Sequence, residues 1–336
     1  MSVLKRCMTF TGLLFSGLLL LASPARAMDC LRATTLIENS ICSQPQLLWL
    51  DRVLTDSYIK MIAQQPQRLE TWRKKWIADR NACASNTCIR RAYLQGISDI
   101  YQSDHQFDWS GEWWNSSAPN GSGGRLMISQ QSEWGFKING EVWAGVNRGR
   151  FSGDANRWYG IWLVNNIPFA SGCSVLLMPR TDGKVEVSSN DDGHCRLLAP
   201  QGITVDGTYV RAEEDPRPAP TLLSLGILPN AELDKAFREL TGSEYQAYVD
   251  TANSFVYSND LDEMGATVLT LWVKGAANKQ AAVIMYTQDH QIWAMRAFPD
   301  EKRHVRIHYL TTEKSGPVPK TLAGWRSVYD DTQDPD

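Results

Sequence analysis

The sequence predicts a multidomain α+β protein. A disulfide-stapled helical N-terminal unit is followed by an antiparallel β-barrel or sandwich, then by an α+β C-terminal domain with an antiparallel sheet. Three observations carry this. Cys30, Cys42, Cys83 and Cys88 stand at or beside candidate helix ends rather than within apolar stripes. The hydrophobic period changes from three-to-four to two near Phe107, where tryptophans and Gly-containing turn pairs crowd together. Residues 213–220 (EEDPRPAP) set three acids before three prolines, which favours an extended, semi-rigid spacer.

Residues 1–27 have the three parts of a secretory signal: Lys5 and Arg6, an apolar run from Met8 to Ala22, and Ala25-Arg26-Ala27 as an A-x-A cleavage site. Cleavage after Ala27 makes Met28 the first mature residue and the periplasm the expected compartment. The apolar run is shorter than the roughly 20 residues a spanning helix needs, and no later segment approaches that length. No membrane span is therefore expected in the mature chain. The signal carries Lys5, Arg6 and Arg26 and no acid, so a formal charge of −3 becomes −6. It also removes Cys7, which reduces seven cysteines to six. An even count in an exported chain favours disulfides over metal or redox chemistry. Two bridges are expected among Cys30, Cys42, Cys83 and Cys88, with their pairing open. A third joins Cys173 to Cys195; closing a loop of about 22 residues is worth roughly 3 kcal/mol by chain entropy.

In the helical domain, 28–105, Thr35-Leu-Ile-Glu38 is a capping box that starts a short helix. Ser43 is the expected N-cap of the next helix, with Pro45 in its first turn. Leu47, Leu50, Leu54, Tyr58 and Met61 form one apolar stripe, and Pro66 ends it. Leu69, Trp72 and Trp76 open a second long helix, with Arg73, Lys74, Lys75 and Arg80 on its solvent side. Cys83–Cys88 spans a turn before a third stripe of Ile89, Tyr93, Ile97 and Ile100. Two long helices joined through Pro66 should run antiparallel and return Cys83 and Cys88 towards Cys30 and Cys42.

Asp29-Cys30, the run Ile41-Cys-Ser-Gln-Pro-Gln-Leu47, Leu50-Asp51, Tyr58, Trp76, Arg80, Cys83, Cys88 and Tyr93 resemble the LprI-type lysozyme-inhibitor N-terminal domain. That family recurs with a D/F-C start, an I-C-x-x-P-x-L run and a W-x-x-x-R-x-x-C…C segment. The resemblance covers about 75 residues. It implies an exported, disulfide-bonded helical fold and, more loosely, a lysozyme-type muramidase as protein partner.

The next domain, 106–212, alternates in short segments such as Arg125–Ser129, Gly160–Val164, Ser174–Met178 and Lys184–Ser188. Asn120–Gly124, Asn139-Gly140, Asp182-Gly183 and Asp206-Gly207 are turn signals between them. Eight or nine strands are expected. After the 213–220 linker, the domain 221–329 begins with a helix capped by Asn230 and stopped by Gly242. An antiparallel meander follows in Thr267–Val273, Ala281–Tyr286, Gln291–Arg296 and His304–Tyr309. Residues 330–336 read as a disordered, solvated tail.

The C-terminal domain resembles, more weakly, the inhibitor of vertebrate lysozyme family, through its leading helix and the strands Ala282-Val-Ile-Met-Tyr286 and Ile292-Trp-Ala-Met-Arg-Ala-Phe298. That family's inhibitory loop is a disulfide-closed C-K-P-H-D-C. The corresponding segment here, Val273–Gln280, has neither Cys nor His. If the loop still acts, its candidates are Lys274, Asn278 and Lys279.

No catalytic constellation is present: no G-x-S-x-G, P-loop, H-E-x-x-H or C-x-x-C. No cofactor or metal is expected. His304 and His308 share a strand face with Arg306, which works against a metal, and Asp260, Asp262 and Glu263 read as a charged turn. An acidic chain without a dense basic patch is not expected to bind nucleic acid. The residues from Glu213 onward carry twelve bases and nineteen acids, a net −7 that would steer a cationic partner. Seven tryptophans lie between Trp109 and Trp162. Most should fill a small barrel, but Trp113 and Trp114 must point to opposite faces of a strand, which makes them candidates for stacking on glycan or peptidoglycan. The sequence thus points to a non-catalytic, exported binding protein, a lysozyme inhibitor or a descendant of one, with a glycan-binding β domain as the alternative. Oligomeric state stays open.

Overall fold

The computed structural model describes residues 27–165, 167–190, 195 and 203–330. The expected signal, except Ala27, and residues 331–336 of the expected tail lie outside the described residues.

Thr35 and Glu38 form the reciprocal capping box that starts α1 (Leu36–Ser43). α2 (Pro45–Ile62) follows after a single residue, Gln44. Ser43 does not cap α2. It is the last residue of α1 and turns its hydroxyl back to Ser40 O at 3.2 Å. Cys42, in the last turn of α1, is bridged to Cys30. Pro66 starts α3 (Pro66–Asn81), and Ser85 caps α4 (Asn86–Tyr101). The second bridge is local, Cys83–Cys88, and closes the α3–α4 turn. The cysteines therefore staple two separate ends and do not bridge them.

The middle segment is a closed antiparallel barrel of eight strands in sequential order: β1 (Glu112–Asn115), β2 (Ser122–Ser129), β3 (Gly135–Ala144), β4 (Asn147–Trp158), β5 (Ile161–Asn165), β6 (Val175–Pro179), β7 (Val185–Ser189) and β8 (Gly207–Arg211). β1 pairs with β8 to close it, Trp113 opposite Arg211. The interior holds Trp109, Trp113, Phe136 and Trp162 in edge-on and tilted contact, with Tyr209 buried in the same cluster. Asn139-Gly140 is not a turn. Both residues lie inside β3, where the missing Cβ of Gly140 makes room for the Phe151 ring across the pair. The β3–β4 turn is formed instead at Gly145-Val146.

β5 and β6 do not alternate, because both of their faces are covered. Trp162, Val164, Val175 and Leu177 face the barrel interior. Ile161, Leu163, Leu176 and Met178 pack outward into the same cluster as Leu54, Tyr93 and Ile97 of the helices. Helices and barrel thus share one apolar core across position 105. Its rim is polar: Lys60 meets Glu186 at 2.5 Å, Arg180 meets Glu186 at 2.7 Å, and Ser103 donates to Pro179 O at 2.7 Å.

The 213–220 segment contains no helix or strand, and it is tied down. Arg217, clamped by the Asp215 carboxylate, donates to Ala118 O at 2.9 Å and Ser122 O at 2.8 Å. Beyond it, Asn230 caps α5 (Ala231–Thr241), and α6 (Tyr245–Thr251) follows. The sheet runs β13 (Val305–Thr311), β12 (Ile292–Pro299), β11 (Ala281–Tyr286), β10 (Thr267–Trp272), β9 (Ser254–Ser258). α5 and α6 cover one face through Phe237 and Tyr248. α7 (Lys320–Asp330) covers the other through Leu322 and Trp325. The expected meander is thus present, with β9 added at its edge and α7 across its back. Asp262 is explained by that helix, and Asp260 by its own turn. Asp262 accepts the Lys320 and Thr321 amides at 2.7 and 2.9 Å, and Asp260 accepts the Asp262 amide.

Candidate functional site

The β10–β11 loop, residues 273–280, is built from tight turns: Ala276 N bonds Val273 O at 3.0 Å and Gln280 N bonds Ala276 O at 2.8 Å. Three longer-range contacts fix it. Val146 N, in the β3–β4 turn of the barrel, donates to Lys274 O at 3.2 Å. Lys274 N donates to Asn253 Oδ1 at 3.3 Å, and Tyr329 OH donates to Ala277 O at 3.1 Å. Lys274 is consequently half-buried, while Asn278 and Lys279 are exposed at the loop's far side. The barrel also grips this end of the C-terminal unit through Asn120, which donates to Val249 O and Ala252 O at 3.0 and 2.9 Å. The loop is a surface of fixed shape carrying an amide and an ammonium group. It can donate hydrogen bonds and positive charge to an acidic cleft.

Trp113 and Trp114 part as the strand pleat requires. Trp113 faces inward, is 1% exposed, and donates to Trp109 O at 3.1 Å. It is core, and as a stacking platform it is ruled out by burial. Trp114 is half-buried on the outer face, with Arg125 above its ring at 5.4 Å and Trp143 edge-on. The most open indole is Trp134, 74% exposed in the β2–β3 connection. Near it, Trp109, Trp162, Glu133 and Arg157 line a cavity of about 640 Å³ at one barrel mouth.

A third arrangement lies in the helical unit. Asp51 is 5% exposed on the apolar face of α2. Its carboxylate accepts Met28 N at 2.6 Å and the Tyr93 hydroxyl at 2.8 Å. Burial, then the negative charge of Asp51, pushes the Tyr93 phenol well above its ordinary value. Arg80 is not solvated as its helix position suggests. It is 9% exposed, lies over the Trp76 ring at 5.3 Å, and reaches Tyr93 OH at 3.4 Å. Trp76, Trp72 and Tyr58 continue as a stacked ladder, with Arg73 over Tyr58 at 5.2 Å. Around them is a cavity of about 330 Å³, rimmed by Asp29, Arg32 and Glu38. Hydrogen bonds from the Thr35 and Thr34 amides hold the Glu38 carboxyl down at about 2. Asp51, Tyr58, Trp76, Arg80 and Tyr93 are the motif residues of the N-terminal unit, gathered here around one carboxylate. One signal in the sequence could have found them: Asp51 interrupts the stripe of Leu47, Leu50 and Leu54, and a buried acid requires partners.

Among the described residues, no cluster of three or more His, Cys, Asp or Glu could hold a metal. His308 is taken by Glu244 at 2.7 Å, and Arg306 by Asp300 at 2.9 Å. The six cysteines are bridged as Cys30–Cys42, Cys83–Cys88 and Cys173–Cys195. Among the described residues no helix is long and apolar enough to cross a membrane.

Fold and site together define a class: a disulfide-bonded α+β protein that joins stapled helices, a filled eight-stranded barrel and a second antiparallel sheet. Over part of its length the chain is similar to lipoprotein LprI of Mycobacterium bovis and of Mycobacterium tuberculosis, 28% identical over 84 residues. The match covers 24% of this chain and 43% of each relative, so the chain spans less than half the length of these lipoproteins. No family model matches the chain, and no solved structure does.

Proposed function

We propose that this is an exported, non-catalytic protein of the bacterial envelope that inhibits lysozyme-type muramidases, through the β10–β11 loop. The observation that carries this reading is the fixing of that loop from three directions, by Val146, Asn253 and Tyr329. Preorganisation removes the ordering cost that a flexible loop would meet on entering a cleft. Asn278 and Lys279 would supply hydrogen bonds and positive charge to the enzyme's catalytic carboxylates, with Lys274 anchoring the loop's base. The acidic balance of the C-terminal segment, −7 from Glu213 onward, favours approach of a cationic enzyme. The likeness to LprI lends support by descent, and the cysteine-framed helices fit an exported compartment.

The test is protection of bacterial cells from lysis, followed by turbidity, against c-, g- and i-type enzymes. Protection at micromolar inhibitor that falls at least tenfold in Asn278→Ala/Lys279→Ala is the expected result. No protection by the intact protein at micromolar excess against any type removes the reading. A second reading, binding of glycan or peptidoglycan by the barrel, rests on Trp134 beside the 640 Å³ mouth. It predicts retention on insoluble peptidoglycan, lost in Trp134→Ala and retained in Trp113→Phe.

A further inference from the structure

β9 is an edge strand with no charged residue, and among the described residues no strand of the C-terminal sheet lies beyond it. Its side chains are open to solvent although they are large and apolar: Phe255 is 42%, Val256 50% and Tyr257 64% exposed. Exposed edges are ordinarily protected by charge. The opposite edge follows that rule, with Arg306 and His308 in β13. β9 has no such protection.

The sequence around it is near-palindromic. Asn253-Ser-Phe-Val-Tyr-Ser-Asn259 reads the same in both directions, with Phe and Tyr exchanged about Val256. Side-chain direction follows from the pairing with β10. Phe255 and Tyr257 lie opposite Leu271 and Leu269, on the face covered by α5 and α6, and Val256 lies opposite Thr270 on the other face. Phe255 and Tyr257 already touch edge-to-face at 6.3 Å.

We propose that β9 is a self-association edge. Two copies of this chain pair antiparallel through β9 about a two-fold axis at Val256, which joins the two five-stranded sheets into one. That axis sets Phe255 of each copy across from Tyr257 of the other, and Ser254 across from Ser258. Aromatic cross-strand pairs of this kind are favourable in antiparallel sheets. Charge fits a second copy as well. Each C-terminal segment is acidic, so like copies repel except through an uncharged strip, and β9 is such a strip. The nearest acid, Asp260, falls opposite Ala252 rather than opposite its own copy. The contact is isologous and closes at two. A contact through one five-residue strand is small beside a standard interface of about 1,600 Å², so association is concentration-dependent.

The experiment uses the full mature chain, with oligomeric state measured by sedimentation velocity from about 1 μM to about 1 mM. A monomer–dimer equilibrium that strengthens with added salt is expected, together with rising amide protection of residues 254–258. Val256→Lys, at a half-exposed position, should keep the circular dichroism and thermal unfolding of the parent and remain monomeric. Register is tested by oxidation. Val256→Cys places two thiols directly opposite each other and should give a disulfide-linked dimer. Ser254→Cys should cross-link only when mixed with Ser258→Cys. A chain that stays monomeric to 1 mM overturns the proposal, as does a dimer that survives Val256→Lys. Equal cross-linking of Ser254→Cys alone also overturns it.

Discussion

The main-chain nitrogen of Met28 lies 2.6 Å from the Asp51 carboxylate, which accepts the Tyr93 hydroxyl at 2.8 Å on its other oxygen. One buried acid thus ties the start of the described chain to α2 and α4, 23 and 42 residues apart in sequence. Asp51→Ala leaves the buried Tyr93 hydroxyl and the half-buried Met28 nitrogen without their acceptor and should lower stability by about 2–4 kcal/mol. Tyr93→Phe, which removes one donor, should cost about 1 kcal/mol. The double variant should fall short of the sum of the two single losses, because both remove the same bond. Denaturant unfolding of the four proteins measures this cycle, and strict additivity would disprove the coupling. If processing ends after Ala27, the Met28 nitrogen becomes an ammonium. N-terminal acetylation of that form should then lower the melting temperature, and should do so less in Asp51→Asn.

How much of this was legible in the sequence depended on the range of the interaction. Thr35 with Glu38, Asn230 and Gly242 mark helix ends because capping is settled within four residues. The C-terminal meander is legible for the same local reason. β5 and β6 were harder. Ile161-Trp-Leu-Val164 and Val175-Leu-Leu-Met178 lose the period of two because helices cover the barrel's outer wall, and nothing local records that. Asn139-Gly140 looks like a hairpin turn, yet it serves Phe151 on the neighbouring strand. The Asp51 constellation is assembled from three helices, so only the misplaced acid itself was visible. The position of the β10–β11 loop was legible as a gap between two strands. Its attachment to Val146 was not, since that contact spans 128 residues from Val146 to Lys274.

Acid should weaken the protein through two exposed carboxyls. Glu38 is held down at about 2 by the Thr35 and Thr34 amides, and Asp108 at about 2 by Ser110 and then Arg211. A carboxyl whose folded pKa is depressed contributes stability above its unfolded pKa, about 4 for both types. That contribution is lost as pH falls from there towards 2. The melting temperature should therefore decline between pH 5 and pH 2, and Glu38→Gln/Asp108→Asn should flatten the decline. An unchanged slope in the double variant would refute the assignment.

The Cys173–Cys195 bridge spans 22 residues and anchors a barrel loop whose first cysteine is fully buried. Cys173→Ala/Cys195→Ala should destabilise by about 3 kcal/mol through the freed loop. Cys83→Ala/Cys88→Ala frees a loop of five residues and should cost less. Thermal unfolding in the absence of reductant compares them. The reverse order would show that the α3–α4 turn depends on its staple more than the barrel does.

Gly145 offers a way to move the candidate loop without touching it. Its φ is +61°, where a side chain is strained, and an added Cβ would collide with the Lys274 carbonyl oxygen. That oxygen belongs to backbone and cannot swing aside. Gly145→Val should therefore push residues 273–280 off the barrel, breaking the bond from Val146 N. Gly183 is the control: its φ is +80° in the β6–β7 turn, but no atom of the described residues stands within 4 Å of an added Cβ. Gly183→Ala should cost about 1 kcal/mol of turn strain and leave the loop in place. If the loop inhibits, Gly145→Val should lose at least tenfold in protection of cells from lysozyme while keeping its far-ultraviolet circular dichroism. Gly183→Ala should protect as well as the parent. Full protection by Gly145→Val would show that the loop's attachment to the barrel does not matter for inhibition, and would move the search to the Asp51 cavity.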